Sequence, residues 1–275
     1  MPVSTQLSER ISTAIDLSGR TAVITGAGGG LGRESAFVLG EAGASLAVIE
    51  LEQSDVDSLV AELSAAGHEV RGVTADVTNA VQMNDAISSV LAETHQIDIL
   101  VNAAGIIGKN DNVADVDIAD LEKIIAVNVT GTFISCQAVL PHMLAREQGS
   151  IINLASGAID FPTASRAPYS LTKAAVAQLT KNLAMEVSPQ GVRVNALAPG
   201  FFPSRMTSRH WLKANGEVDE QRREEVRKEM AQAQALPVLG EPFDQALLVL
   251  YLASEASRFV TGQIMRANGG LAMPW

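Results

Sequence analysis

Apolar positions along this chain follow two alternating periods. Short β-branched runs give way to Ala- and Leu-rich stretches whose apolar residues recur every three to four positions, the pattern of a strand followed by an amphipathic helix. The runs at 21–24, 45–49, 69–74, 97–102, 150–154, 192–197 and 263–267 read as seven strands. Between them, helices are expected over 31–39, 54–66, 81–94, 118–145 and 169–187, with Pro141 a kink in the fourth. Strands alternating with helices call for a parallel sheet covered on both faces. Ligands of such sheets bind outside the carboxyl ends of the strands, where the strand order reverses.

The distinctive residues cluster at that edge. The glycine-rich stretch Thr25 to Gly32 follows the first strand, Glu50 ends the second and Asp76 follows the third. Asn102 to Gly105 follow the fourth, Ala155 and Ser156 the fifth, and Ala198, Pro199 and Gly200 the sixth. The glycine stretch joins a strand to a helix start, where a tight turn with free N–H groups can face a phosphate.

No internal repeat or linker composition divides the chain, so residues 1–275 are expected to form one domain. Residues 1–17 form an extension before the first strand, either a disordered leader or a short helix lying on a neighbouring subunit. The apolar C-terminal tail, 271–275, is expected in a pocket or across a subunit interface. The first twenty residues lack a signal peptide's apolar core, and no apolar run reaches the ~20 residues of a membrane span. A cytoplasmic protein without membrane contact is expected.

A net charge of −11 removes the basic footprint that nucleic acid requires. The one cysteine, Cys136, lies in an apolar helical pattern and reads as a buried, inert thiol. The four histidines, His68, His95, His142 and His210, lack ligand spacing, so no metal is expected.

Glu50 stands about twenty residues beyond the glycine turn at a strand end, where a carboxylate accepts hydrogen bonds from adenosine ribose hydroxyls. The same charge opposes the 2′-phosphate of NADP. Leu51 follows it, and Arg33, on the first helical turn, reads as a surface ion-pair residue. The expected cofactor is NAD, with NADP disfavoured. Asp76 is available to an adenine amino group or to an Asx turn with Thr78.

Ser156, Tyr169 and Lys173 are the catalytic candidates. Tyrosine and lysine four apart share a helix face, and a neighbouring ammonium draws a phenol pKa down toward the working range. Ser156 at a strand end can donate a hydrogen bond to a substrate oxygen on which charge develops.

These residues resemble a short-chain dehydrogenase/reductase of the single-domain type, from about Leu17 to Gly270. The likeness rests on Thr25, Gly26, Gly30 and Gly32, on Ser156, Tyr169 and Lys173, and on the run 192–200 with its Asn195, Pro199 and Gly200. It implies a Rossmann-type doubly wound, seven-stranded parallel sheet with helices on both faces. It also implies hydride transfer between the nicotinamide and a carbonyl carbon, with Tyr169 passing the proton and Lys173 holding the ribose. Asn128, in VNVTG, matches the family's helix asparagine, which is understood to hold a water in a proton relay. The cofactor would meet Gly26, Gly28, Gly30, Leu31, Gly32, Glu50, Asp76, Val77, Asn102, Ala103, Ala104, Gly105, Tyr169, Lys173, Pro199, Gly200 and Ser204. Ala103 replaces an asparagine common in the family, and Ser204 a threonine. A homotetramer, or a dimer, is implied as well.

Between Gly200 and Leu236 the chain is longer than a strand connection needs, and residues 201–236 read as a substrate lid. Its opening is apolar, with Phe201, Phe202, Met206 and Trp211. A charged helix over 218–235 follows, with Asp219 paired to Arg223 and Glu224 to Lys228. Ile106, Ala158, Phe161, Phe202, Met206 and Trp211 are the expected substrate pocket, suited to an apolar, cyclic or aromatic secondary alcohol or ketone. A 3-oxoacyl-thioester reductase is the alternative activity, and a nucleotide-binding regulator without catalysis the alternative of another class.

Overall fold

The computed structural model describes residues 8–213 and 215–274; residues 1–7 of the extension and Trp275 of the tail lie outside the described residues. Strands β1 (Thr21–Thr25), β2 (Ser45–Glu50), β3 (Val70–Thr74), β4 (Ile99–Asn102), β5 (Gly149–Leu154), β6 (Val192–Leu197) and β7 (Ile264–Met265) make one sheet. All pairs are parallel and the order is β3-β2-β1-β4-β5-β6-β7. The order reverses between β1 and β4, where Thr25 lies opposite Asn102.

Alternation within each strand divides the core in two. Ala22 and Ile24 of β1, Leu46 and Val48 of β2, and Ile99 and Val101 of β4 point to one face; Val23, Ala47, Ile49 and Leu100 point to the other. The first face is covered by α2 (Gly30–Glu41), α3 (Gln53–Ala65) and α9 (Pro242–Ala253). The second is covered by α4 (Ala80–Thr94), α6 (Gly131–Ala145) and α7 (Ala167–Val187). The fold is therefore the doubly wound Rossmann type, with its strands buried on both sides. Helix α9 is apolar almost all round, so its sequence lacks a clear stripe. It begins at a capping box formed by Glu241 and Asp244, with Pro242 at the first turn.

Three sequence expectations need correction. Residues 118–145 form one helical run, α5 (Ile118–Ile125), a π turn (Ala126–Thr130) and α6, which by length and composition alone could cross a membrane. It qualifies because it is a core helix: Cys136, Val139 and Met143 pack beneath the sheet beside α4. The helix also departs from regularity at the π turn, while α6 continues through Pro141. In α8 (Glu220–Gln232), Asp219 does not pair with Arg223. Its carboxylate caps the helix by accepting from Arg222 N at 2.9 Å, and Arg223 pairs instead with Glu220 at 2.9 Å. The Glu224–Lys228 pair forms, at 3.4 Å.

Residues Glu9–Ile15 of the extension form α1, which sits against the turn Glu255–Ser257 of the same chain. Cys136 is buried, which pushes its thiol up to about 12.

Candidate active site

A cavity of about 940 Å³ opens along the carboxyl edge of the sheet across the β1/β4 reversal. At its centre is the glycine turn. Gly26 has φ +67°, and a Cβ there would run into the backbone of Ala104; a Cβ on Gly32 would run into Gly26 O. These two glycines let the turn, the β4 loop and the start of α2 close on one another. Glu50 stands directly over the turn, its Oε1 accepting from Gly28 N at 2.7 Å and its Oε2 from Leu51 N at 3.2 Å. A glycine cradle with a carboxylate at its outer end, in a cavity of this size, fits a dinucleotide.

Asp76 lines the cavity while its Oδ1 accepts from Thr78 N and Thr78 Oγ1, at 2.8 and 2.7 Å, so the Asx turn forms. Leu31, Val77, Ala103, Ala104, Gly105, Pro199, Gly200 and Ser204 line it too. Ser204 lies over the turn, with its Cβ 3.6 Å from where a Cβ on Gly30 would sit. Asn102 does not line the cavity. Its Nδ2 turns into the core and donates to Asn153 Oδ1 at 2.8 Å; Asn153 in turn donates to Thr180 Oγ1 at 2.9 Å. The strand period decides this, since Asn102 is the last residue of β4 and faces α6.

Further along the edge, Ser156, Tyr169 and Lys173 share the cavity wall. The β5–β6 pairing continues past the strand ends, Ala155 N donating to Leu197 O and Gly157 N to Pro199 O, which fixes Ser156 between them. Lys173 is buried and donates to Leu154 O at 2.7 Å, with Nζ 5.8 Å from the Tyr169 ring centre. Burial lowers the Lys173 pKa to about 8. Burial also raises the Tyr169 phenol above its ordinary value, and the Ser156 hydrogen bond, Arg166 and Arg209 oppose that rise. The expectation that Lys173 draws Tyr169 down is thus not what the site shows: desolvation dominates both groups, and the cations acting on the phenol are arginines.

Asn128 is fully buried in the π turn. Its Oδ1 accepts from Ile106 N, and its Nδ2 donates to Ile106 O and Thr172 Oγ1. It does not reach the cavity wall. A Cβ on Gly105 would fall 3.2 Å from Asn128 Oδ1 and 3.5 Å from Lys173 Nζ, so this glycine lets the β4 loop lie against both side chains. Asn195 is fully buried and ties β6 to the closing segment through Val260 O and Gln263 N.

Of the expected substrate residues, Ile106, Ala158, Phe161, Phe202 and Met206 line the cavity. Trp211 does not; it is 6% exposed, and its carbonyl accepts from Asp219 N at the start of α8. Its aromatic bulk suited the core better than the cleft. Sequence reading did not place Arg166, Arg209 or His210 in the pocket, yet they line the same end beside Tyr169. Nothing in their spacing marks them, because they come together only when the lid meets α7. From the tail, Leu271 reaches the cavity and Met273 is exposed.

The sequence profile of the short chain dehydrogenases matches residues 20–215. The chain is 36% identical over 257 residues to 2-(S)-hydroxypropyl-CoM dehydrogenase 3 of Xanthobacter autotrophicus, spanning 93% of this chain and 97% of that one. It is 35% identical over 254 residues to 2,5-dichloro-2,5-cyclohexadiene-1,4-diol dehydrogenase LinX of Sphingobium indicum, spanning 92% and 96%. Among solved structures, a gluconate 5-dehydrogenase from Burkholderia cenocepacia in complex with NADP and tartrate superposes with a TM-score of 0.86 at 31% identity, covering 95% and 98% of the two chains.

Proposed function

The chain belongs to the short-chain dehydrogenase/reductase family, oxidoreductases of CH–OH groups that take a nicotinamide cofactor, and on that premise we propose an NAD-dependent secondary-alcohol dehydrogenase. The observation that carries this reading is one cavity with Glu50 over the glycine turn at one end and Ser156, Tyr169 and Lys173 at the other. Arg33 supports it by its position: it pairs with Glu62 and stacks on Phe37, outside the cavity, so no guanidinium from the first helical turn meets a 2′-phosphate.

When bound, NAD supplies the acceptor for the hydride that leaves the alcohol carbon. Gly26, Gly28, Gly30 and Gly32 would hold its phosphates, Glu50 the adenosine ribose, Asp76 the adenine edge, and Pro199, Gly200 and Ser204 the nicotinamide. Ser156 donates to the substrate oxygen and orients it. Tyr169 takes the hydroxyl proton from that oxygen as the C=O bond forms, and in reduction returns it. Lys173 would hold the nicotinamide ribose. Asn128, close to Lys173 across Gly105, would hold a water that relays the proton from the lysine. Ile106, Phe161, Phe202 and Met206 cover the apolar body of the substrate. Residues 201–236 act as the lid.

The test is the absorbance of NADH formed from a panel of aliphatic, cyclic and aromatic secondary alcohols, with β-hydroxyacyl thioesters alongside. NAD is expected to exceed NADP in kcat/KM by at least about tenfold, the effect of one opposed charge pair. Equal efficiency with the two cofactors would refute the NAD preference, and turnover confined to thioesters would favour the reductase alternative.

A further inference from the structure

The substrate end of the cavity carries charge that the proposed reaction does not use. Arg166 stands at the N-terminus of α7, Arg209 in the short turn Ser208–His210 of the lid, and both line the cavity with Tyr169. Neither joins an ion pair among the described residues. Arg209 Nη1 reaches Gly108 O at a long 3.5 Å, while its Nε and Nη2 are shielded from solvent and meet no acceptor among the described residues.

The carboxylates of the cavity are all elsewhere. Those lining it are Glu50, Glu52, Asp55 and Asp76, at the β2 and β3 end. The acid nearest the β5 loop, Asp160, is bound by Arg266, whose Nη2 lies 3.0 Å from Oδ1. The half-buried guanidiniums therefore share this end of the cavity with Tyr169 and have no counter-charge there, and burial lowers the pKa of both. A guanidinium cannot discharge to escape this. Two like charges taken partly out of water are costly until an anion joins them, and the planar donor fork matches a carboxylate, sulfonate or phosphate.

We infer that the substrate carries a terminal oxyanion, bound between Arg166 and Arg209, which sets its alcohol carbon against Tyr169 and fastens the lid to α7. This rests on the dehydrogenase reading above and names its substrate class. The apolar residues Ile106, Phe161, Phe202 and Met206 then hold the segment between the anion and the alcohol.

Binding and turnover test it separately. Isothermal titration of the NADH-bound protein with hexanoate, hexane-1-sulfonate and hexyl phosphate is compared with neutral hexanamide. At least one anion is expected to bind about tenfold or more tightly than the amide. The strongest of the three identifies the headgroup. Arg209→Gln and Arg166→Gln are each expected to bring that ratio close to one, with NADH affinity showing that the variants are folded. Equal binding of amide and anions, no binding of any probe, or an anion preference that survives both substitutions would overturn the inference. In turnover, NADH-driven reduction of 4-oxopentanoate should exceed that of its methyl ester. Reduction of ester and acid alike, without an anion preference in binding, sinks the oxyanion site and leaves the dehydrogenase reading standing. An intact anion preference with no ketone or alcohol turned over does the reverse.

Discussion

The two ends of the cavity are built by opposite means. At the β1–β3 end the groups are tied to the sheet: a glycine turn, a carboxylate ending β2 and an aspartate after β3, all within a short walk along the chain. At the other end Tyr169 and Lys173 come from α7, Arg166 from its N-terminus, and Arg209 and His210 from a lid separated from α7 by the whole of β6. The first end is acidic and the second basic, on a chain whose net charge is −11. A bulk charge excludes classes of partner, but it does not describe a site. On the proposed reading the two signs serve different molecules: the acidic end would take a ribose with free hydroxyls, the basic end the substrate.

The largest effect that bears on this contrast is at the junction of the two ends. Tyr169→Phe removes the proton carrier and leaves both ends in place, so kcat is expected to fall by about 10²–10⁴-fold while NADH still binds in a fluorescence titration. Retained turnover would take Tyr169 out of the mechanism. The pH profile of the unmodified enzyme has a fixed sign: burial raises the phenol, so oxidation, which needs a proton acceptor at Tyr169, should accelerate with rising pH, and reduction should slow.

Next in size is Lys173. Its folded pKa is about 8 against an unfolded 10.5, so between these values the unfolded chain binds more protons than the native one. The cost of burying the ammonium is fully present below about pH 8 and is relieved as pH rises through this window. Relative to Lys173→Met, the cofactor-free wild type should gain stability from pH 7.5 to 9.5 by up to about 2 kcal/mol, the part of the shift that falls in this window converted at 1.36 kcal/mol per unit. Urea denaturation at several pH values checks this; parallel pH dependences would show that the lysine is solvated.

A smaller effect is expected at the acidic end. Glu50→Ala removes the charge over the glycine turn and should narrow the NAD to NADP ratio of kcat/KM by about tenfold. An unchanged ratio would show that Glu50 only braces Gly28 N, from which it accepts at 2.7 Å.

The same contrast explains what could be read beforehand. Alternating periods located the seven strands, since each needs apolar residues on both faces, and strand ends gave the edge. The turn at 25–32, Glu50, Ser156 and the Tyr169–Lys173 pair were legible because each depends on local spacing. Asn102 was misread because a residue at a strand end can face the cleft or the core, and here the pleat turns it to Asn153. Trp211 and Arg209 were misjudged in opposite directions. An apolar lid residue can be buried in the core as readily as line the cleft, and spacing along the lid does not tell an arginine that faces the pocket from one on the surface. The pair formed by Arg166 and Arg209 has no sequence signature, because the tertiary meeting of lid and helix creates it.

The claim that the two ends work separately is tested most directly by a double-mutant cycle in kcat/KM over Glu50→Ala and Arg209→Gln, assayed with NAD and NADP on an anionic ketone or alcohol and its neutral ester. The predicted result is that Glu50→Ala changes only the cofactor ratio, Arg209→Gln only the anion-to-ester ratio, and that the two changes add in free energy within about 0.5 kcal/mol. A change in cofactor ratio on replacing Arg209, or in the anion ratio on replacing Glu50, would contradict it.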